Sequence, residues 1–195
     1  MSTIFTHTAI PLVIGLGIGR KTVSPRLIAV GCLLTILPDI DVVGFFNGVS
    51  YYSPYGHRGF THSIVFALTC GLLAATMHHW MNAKPLVVFL FVSCATISHG
   101  VLDALTYGGL GIAFFWPFSE ARYFFPWRPL EASPIGIRHF FNRWGLYVFK
   151  TELVRVILPL IAAGTVLWLG RVFFRRLQKK TDSSGERVTF NLRNL

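Results

Sequence analysis

The sequence predicts an all-α, polytopic helical membrane protein, with about five transmembrane helices and an aromatic-rich interfacial segment. Three observations carry this. Hydrophobic residues make up 53% of the 195 positions and charged residues 13%, whereas a soluble domain is nearer one quarter charged. Several apolar runs approach the roughly 20 residues that a spanning helix needs. The net charge of +10 collects at the flanks of those runs and follows no groove-reading motif. That pattern fits cationic membrane loops and argues against nucleic acid. Cys32, Cys70 and Cys94 each lie inside an apolar run without CxxC spacing, so they read as small core residues.

The spans fall at roughly 3–19, 26–46, 62–82, 85–106 and 152–173, within a single helical domain over about 1–175. The first has neither a basic leader nor an A-x-A-like cleavage site, and is read as an uncleaved span. A basic tail over about 176–195, polar in character, is expected to be disordered towards its end. Arg20, Lys21 and Arg26 follow the first span, Lys84 follows the third, and Arg171, Arg175, Arg176, Lys179, Lys180, Arg187 and Arg193 lie at or beyond the end of the fifth. Five spans put all three groups on one side, which the positive-inside rule makes the cytoplasm. The N-terminus, with no charged side chain in its first 19 residues, then faces the outside.

Residues 107–151 also face outward. Trp116, Trp127 and Trp144 sit there among many phenylalanines, with prolines at 117, 126, 129 and 134 that forbid one long helix. An interfacial platform is the first reading. A lid over a lipid site is the second, with Arg122, Arg128, Arg138 or Arg143 meeting a phosphate. His139 is assigned to neither.

Ionisable residues inside spans are costly and point to function. Before position 120 the chain has three acids, Asp39, Asp41 and Asp103, all in predicted spans. Pro38 should break the second span beside Asp39 and Asp41. His99 and Asp103, four apart, share a helical face. His7 lies early in the first span. His57 and His62, in "YGHRGFTHS", straddle the expected start of the third, where Thr61 or Ser63 can cap. The topology, set by Lys and Arg alone, brings all these groups to the outer leaflet. His78 and His79 fall at the opposite end, where interfacial packing accounts for them. Glycines 56, 59, 100, 108 and 109 serve either turns or close backbone approach. Imidazoles and carboxylates without thiolate suit a divalent ion, Zn²⁺ first and Mn²⁺ or Fe²⁺ as alternatives. The set His7, Asp39, Asp41, His57, His62, His99 and Asp103 is large enough for one or two ions, and two could act together on an ester.

The ordered motifs "LPDID", "GHRGFTHS", "SHGVLDALTYGG" and "FWP", with His7 before them, resemble the LexA-regulated, membrane-bound metal-dependent hydrolase family, the YdjM-like proteins. The resemblance covers roughly residues 1–120 and implies an inner-membrane helical hydrolase whose motif residues bind metal. Val42 and Val43 stand where that family commonly has a further polar residue. More remotely, the Pro-Asp and His-x-x-x-Asp elements look like those of helical zinc phospholipases C and related nucleases.

The leading expectation is therefore a metal-dependent hydrolase of a membrane lipid ester or phosphoester at the periplasmic leaflet. Arg58 is expected to hold the developing negative charge, and Asp39 or Asp41 to act as general base. No G-x-S-x-G elbow or Cys–His pair is present, which disfavours covalent catalysis. An ion- or proton-coupled transporter would continue polar groups to the cytoplasmic side. A protein that only clamps its helices with metal would close the coordination shell with four ligands. The oligomeric state is left open.

Overall fold

The protein was analysed as a computed structural model that describes residues 1–133 and 141–192, with side chains to residue 178. Arg138, His139 and Arg193 therefore lie outside the described residues, as do the side chains of Lys179, Lys180 and Arg187. Seven α-helices are described: α1 (Ile4–Ile18), α2 (Pro25–Ile36), α3 (Asp41–Phe46), α4 (Ile64–Thr76), α5 (Pro85–Ala104), α6 (Arg143–Glu152) and α7 (Leu158–Leu192). Among the described residues there is no strand, only two isolated bridges, Thr106 with Leu130 and Ile112 with Tyr123.

Local chemistry sets the boundaries. Ser24 caps α2 by accepting from the Leu27 N–H at 3.1 Å, with Pro25 at the first helical position, where its missing donor costs nothing. Ser63 caps α4 through the Phe66 N–H, at 3.1 Å. Pro38 sits in a 3-10 turn, Leu37–Ile40, that separates α2 from α3 because proline cannot supply the next helical hydrogen bond. That break turns Asp39 and Asp41 into the bundle.

Three helical stretches are long and apolar enough to cross a membrane: Pro25–Phe46 with 22 residues, Pro85–Ala104 with 20 and Arg143–Gln178 with 36. The other two apolar helices are shorter than the spans expected from sequence. In particular α4 has 13 residues, about 20 Å at 1.5 Å per residue. The turns after it, ending at Asn82 with φ 49°, take up the rest of the expected 62–82 run. The last helical stretch begins at Arg143, before the expected 152, because Asn142 accepts from the Gly145 N–H at 2.8 Å and caps it there. A π-turn, Leu153–Ile157, joins α6 to α7. The tail expected to be disordered continues α7 to Leu192, since after Pro159 no proline interrupts it.

α5 packs against α1, α2 and α4, and α1 also packs against α7. Close approach rests on small residues, as in membrane bundles generally. A Cβ on Gly71 of α4 would fall 2.0 Å from Ser93 Oγ of α5. A Cβ on Gly17 of α1 would stand 3.2 Å from the Gly164 carbonyl of α7. Outward faces carry Leu33, Leu72, Leu86 and Val166, all exposed, as expected of helices facing acyl chains. The first residues and the far end of α7 lie at opposite ends of the bundle.

Residues 105–133 hold most of the aromatic-rich segment. They fold back onto the bundle, with the Ile64 N–H donating to Phe114 O (3.0 Å), the Ala113 N–H to Arg58 O (3.1 Å) and the Tyr107 N–H to Leu130 O (2.8 Å). Arg122 donates to the carbonyls of His57 (3.1 Å), Tyr51 (3.2 Å) and Ser53 (3.0 Å). Arg128 lies over the rings of Tyr107 and Phe124. Both guanidinium groups thus staple loops, where a phosphate contact had been expected, because neighbouring carbonyls and rings satisfy them first.

Candidate metal centre

The seven residues singled out as metal ligands converge on one end of the bundle, although they come from five separate segments. α1 contributes His7, the Pro38 turn Asp39, the start of α3 Asp41, the loop and turn before α4 His57 and His62, and the last turns of α5 His99 and Asp103. Asp39 is the member that reaches the surface, with 19% of its side chain exposed.

Hydrogen bonds assign the tautomers of two histidines. His99 Nδ1 lies 2.8 Å from the Thr35 carbonyl, an acceptor only, so Nδ1 carries the proton and Nε2 a lone pair. His62 Nδ1 lies 3.2 Å from Asp41 Oδ2, and by the same reasoning its Nε2 is also unprotonated. These two Nε2 atoms face each other at 3.1 Å. At that separation the two nitrogens can share a cation, be it a proton or a metal ion. Asp39 Oδ1 is 3.4 Å from His99 Nε2 and 3.8 Å from His62 Nε2. Asp103 Oδ2 is 3.9 Å from His62 Nε2. Both carboxylate oxygens are buried without a hydrogen-bond partner. One donor atom from each of Asp39, His62, His99 and Asp103 lies within 4.8 Å of the others. Tetrahedral ligands at about 2.0–2.2 Å from zinc stand roughly 3.4 Å apart, so this group fits a small divalent ion.

A second group, Asp41, His57 and His62, also satisfies the distance criterion, but its atoms are already spent on one another. Asp41 Oδ1 accepts from His57 Nδ1 at 2.7 Å. Asp41 Oδ2 accepts from the Arg58 N–H at 3.1 Å and from Thr61 Oγ1 at 2.7 Å, and faces His62 Nδ1. A carboxylate so occupied orients the His62 ligand from behind, as outer partners of metal-bound histidines commonly do. Thr35 does the same for His99 and is anchored by its own bond to the Ala95 carbonyl at 2.7 Å.

His7 belongs to neither group. Its ring stacks on His99 with centroids 3.8 Å apart and planes at 13°, its Nε2 stands 3.7 Å from Asp103 Oδ1 and its Nδ1 is buried without a hydrogen-bond partner. Its Nε2 pairs with Ser2 Oγ at 2.8 Å. Arg58 is also not where it was expected. It is 1% exposed, with φ 67°, and its fork donates to Gly108 O (3.0 Å), Leu110 O (2.9 Å) and Thr106 Oγ1 (3.1 Å). Its Nε stands 3.3 Å from Asp103 Oδ2. The folded-back loop 105–133 supplies those carbonyls, so Arg58 is a buried ion pair with no nitrogen open to a phosphate. Gly59 makes this fold of the chain possible, since a Cβ there would lie 2.0 Å from Pro54 O. Tyr51 walls the outer side with its ring 5.4 Å from that of His57, and burial pushes its phenol above the ordinary value.

Two contributors had no local signal. Ser2 donates its N–H to Asp103 Oδ1 at 2.8 Å. Glu152, fully buried at the end of α6, accepts from the Thr3 N–H at 2.7 Å, from Thr3 Oγ1 and from Thr6 Oγ1 at 2.6 Å. It thereby holds the segment that carries Ser2 against the cluster. Glu152 lies 149 residues from Thr3, and a spacing argument cannot reach so far.

A helical membrane protein with a buried histidine–aspartate centre at one end is the class that fold and site define. The chain matches the YdjM inner membrane protein family over residues 1–177, and it belongs to that family. It is 41% identical over 172 residues to "Inner membrane protein YbcI" of Escherichia coli (strain K12), covering 88% of this chain and 99% of the relative. No solved structure matches it.

Proposed function

We propose that the protein is a divalent-metal-dependent hydrolase acting on an ester or phosphoester of a membrane lipid, at the leaflet that meets the histidine–aspartate cluster. Charge distribution makes this the periplasmic leaflet of the inner membrane. The observation that carries the proposal is the convergence of one donor atom each from Asp39, His62, His99 and Asp103 within 4.8 Å of one another, with the two histidine Nε2 atoms 3.1 Å apart. A zinc or similar ion held by His62, His99, Asp103 and Asp39 supplies Lewis acidity to the scissile group.

The chain's own residues divide the remaining work. His62 and His99 are held in register from behind by Asp41 and Thr35. Asp103 is fixed by Ser2 and Arg58. Asp39, partly exposed, is the carboxylate that can take a proton from an attacking water, whereas Asp41 has its lone pairs occupied. The difference in exposure and occupancy favours Asp39 over Asp41 for that role. A lipid substrate is supported by an apolar cavity of about 700 Å³ at the same end, lined by Phe5, Phe141, Asn142, Arg143, Leu146 and Phe149. No cluster residue lines it.

One observation favours a second reading. Four protein donors drawn from three segments can close a metal shell and clamp the helices, leaving no open position. A transporter is less well supported. Every buried histidine or charged side chain among the described residues lies at the cluster end, and the path towards the other end offers only uncharged groups such as Thr96 and Ser93.

The test is hydrolysis of phosphatidylglycerol and phosphatidylethanolamine in mixed micelles, before and after chelation and zinc replacement. Hydrolysis should require metal, and Asp39→Asn, which removes the proposed base and weakens one ligand, should lose turnover by at least about 10²–10⁴-fold, the range of general-base catalysis. Metal-loaded protein that cleaves no lipid ester, yet unfolds on chelation, would establish the clamp.

A further inference from the structure

The end of the bundle opposite the cluster carries a second concentration of function-bearing residues, which the hydrolase reading leaves unused. Between α1 and α7 lies a recess of about 380 Å³ lined by Arg20, Lys21, Arg171 and Arg175, with Leu16 and Trp168 at its inner edge. Arg171 is half-buried. It donates from one terminal nitrogen to the Leu16 carbonyl at 3.4 Å, and its Nε is buried without a partner. No acidic side chain lines the recess.

Directly adjoining it, and sharing Leu16 and Trp168, is an apolar slot of about 320 Å³ lined also by Val13, Gly17, Ile161 and Gly164. The slot exists because α1 and α7 meet at two glycines. A Cβ on Gly164 would come within 2.4 Å of Val13 Cγ1, so the contact is tight there and the side chains on either side bound a groove.

From this continuous arrangement we infer a binding site for an anionic phospholipid, its phosphate in the four-cation recess and one acyl chain in the slot between α1 and α7. The charge is complementary, since four cations, with no acid among the described residues lining the recess, attract a phosphate. The apolar slot distinguishes a lipid from a free anion. Trp168 bridges the two parts at the depth where indole rings settle at a headgroup boundary. The site is separate from the metal centre and does not depend on its activity.

The experiment measures lipid binding to the purified full chain in detergent by native mass spectrometry. Dioleoyl phosphatidylglycerol, dioleoyl phosphatidylcholine and inorganic phosphate are the probes. Phosphatidylglycerol should bind at least ten-fold more tightly than phosphatidylcholine, and inorganic phosphate at the same concentration should not displace it. Lys21→Gln with Arg175→Gln changes two exposed side chains and spares Arg171, which also holds α1. At about five-fold per cation near a membrane surface, this double variant should weaken phosphatidylglycerol binding about twenty-five-fold. Thr165 also lines the slot, and Thr165→Phe, which fills it, should weaken binding without changing the charge. Asp39→Asn, at the far end, should bind as the unaltered protein does. Equal binding of the two lipids, unchanged binding by the double variant, displacement by phosphate alone, or loss of binding in Asp39→Asn would each overturn the assignment.

Discussion

At the scale of single residues, the cluster separates side chains that can hold a metal from those that hold the holders. Arg58 is the sharpest case. Flanked by His57 and Gly59 in a polar loop, it reads from sequence as an exposed phosphate contact. Its guanidinium instead lies 3.3 Å from Asp103 Oδ2 and donates to three groups of the 105–133 loop. Removing one partner of a buried ion pair leaves the other charge uncompensated, at a cost of about 3–5 kcal/mol. Arg58→Ala should therefore lower the thermal midpoint in detergent sharply. Arg58→Lys should recover only part of that loss, because an ammonium cannot reproduce the fork to Gly108, Leu110 and Thr106. A variant as stable as the parent would return Arg58 to the role of substrate contact. Asp41→Asn should act through His62, loosening its orientation and lowering metal affinity about 10–100-fold without removing a ligand.

At the scale of elements, what was legible in the sequence depended on how locally each feature was encoded. The four-residue spacing of His99 and Asp103 places both on one face of α5, and both are fully buried. Pro38 announces the break that turns Asp39 inward. His62 was legible as a residue entering α4 with its side chain inward, because a cap at Thr61 or Ser63 was expected there, and Ser63 is the one that caps. The roles of Arg58, Ser2 and Glu152 were not legible, because their partners arrive through long-range folding. Glu152 sits at the start of the expected span 152–173 and carried no assigned role, yet it ties α6 to the start of α1. The length of α4 was misjudged because apolar residues continue past Thr76 into turns that hydropathy cannot distinguish from helix. The α4–α5 contact also makes a definite prediction. Gly71→Val places carbon where Ser93 Oγ and the Phe89 carbonyl already stand, at 2.0 and 2.8 Å from the new Cβ. Overpacking of this kind costs about 1–3 kcal/mol, and a thermal midpoint unchanged in Gly71→Val would show that the two helices are not in such close contact.

At the scale of the whole molecule, the bundle is polarised. Buried histidines and acids gather at one end, and cationic loops and the basic stretch of α7 at the other. From the positive-inside rule we propose that the first residues and the cluster lie at the periplasmic face and the end of α7 in the cytoplasm. Reporter fusions at the two termini should give opposite readings, active alkaline phosphatase at the N-terminal end and active green fluorescent protein at the C-terminal end. Matching readings would put the cluster on an undefined side and remove the argument for a periplasmic substrate.

The central claim is that Asp39, His62, His99 and Asp103 form a metal centre, and elemental analysis of the purified protein tests it most directly. Protein isolated without chelator should carry about one zinc, manganese or iron ion per chain, since one four-donor group fits an ion of this size. The double variant His62→Ala with His99→Ala should lose that ion, while Lys21→Gln with Arg175→Gln at the opposite end should keep it. A folded parent protein that purifies without metal and takes up none on dialysis against zinc would contradict the account.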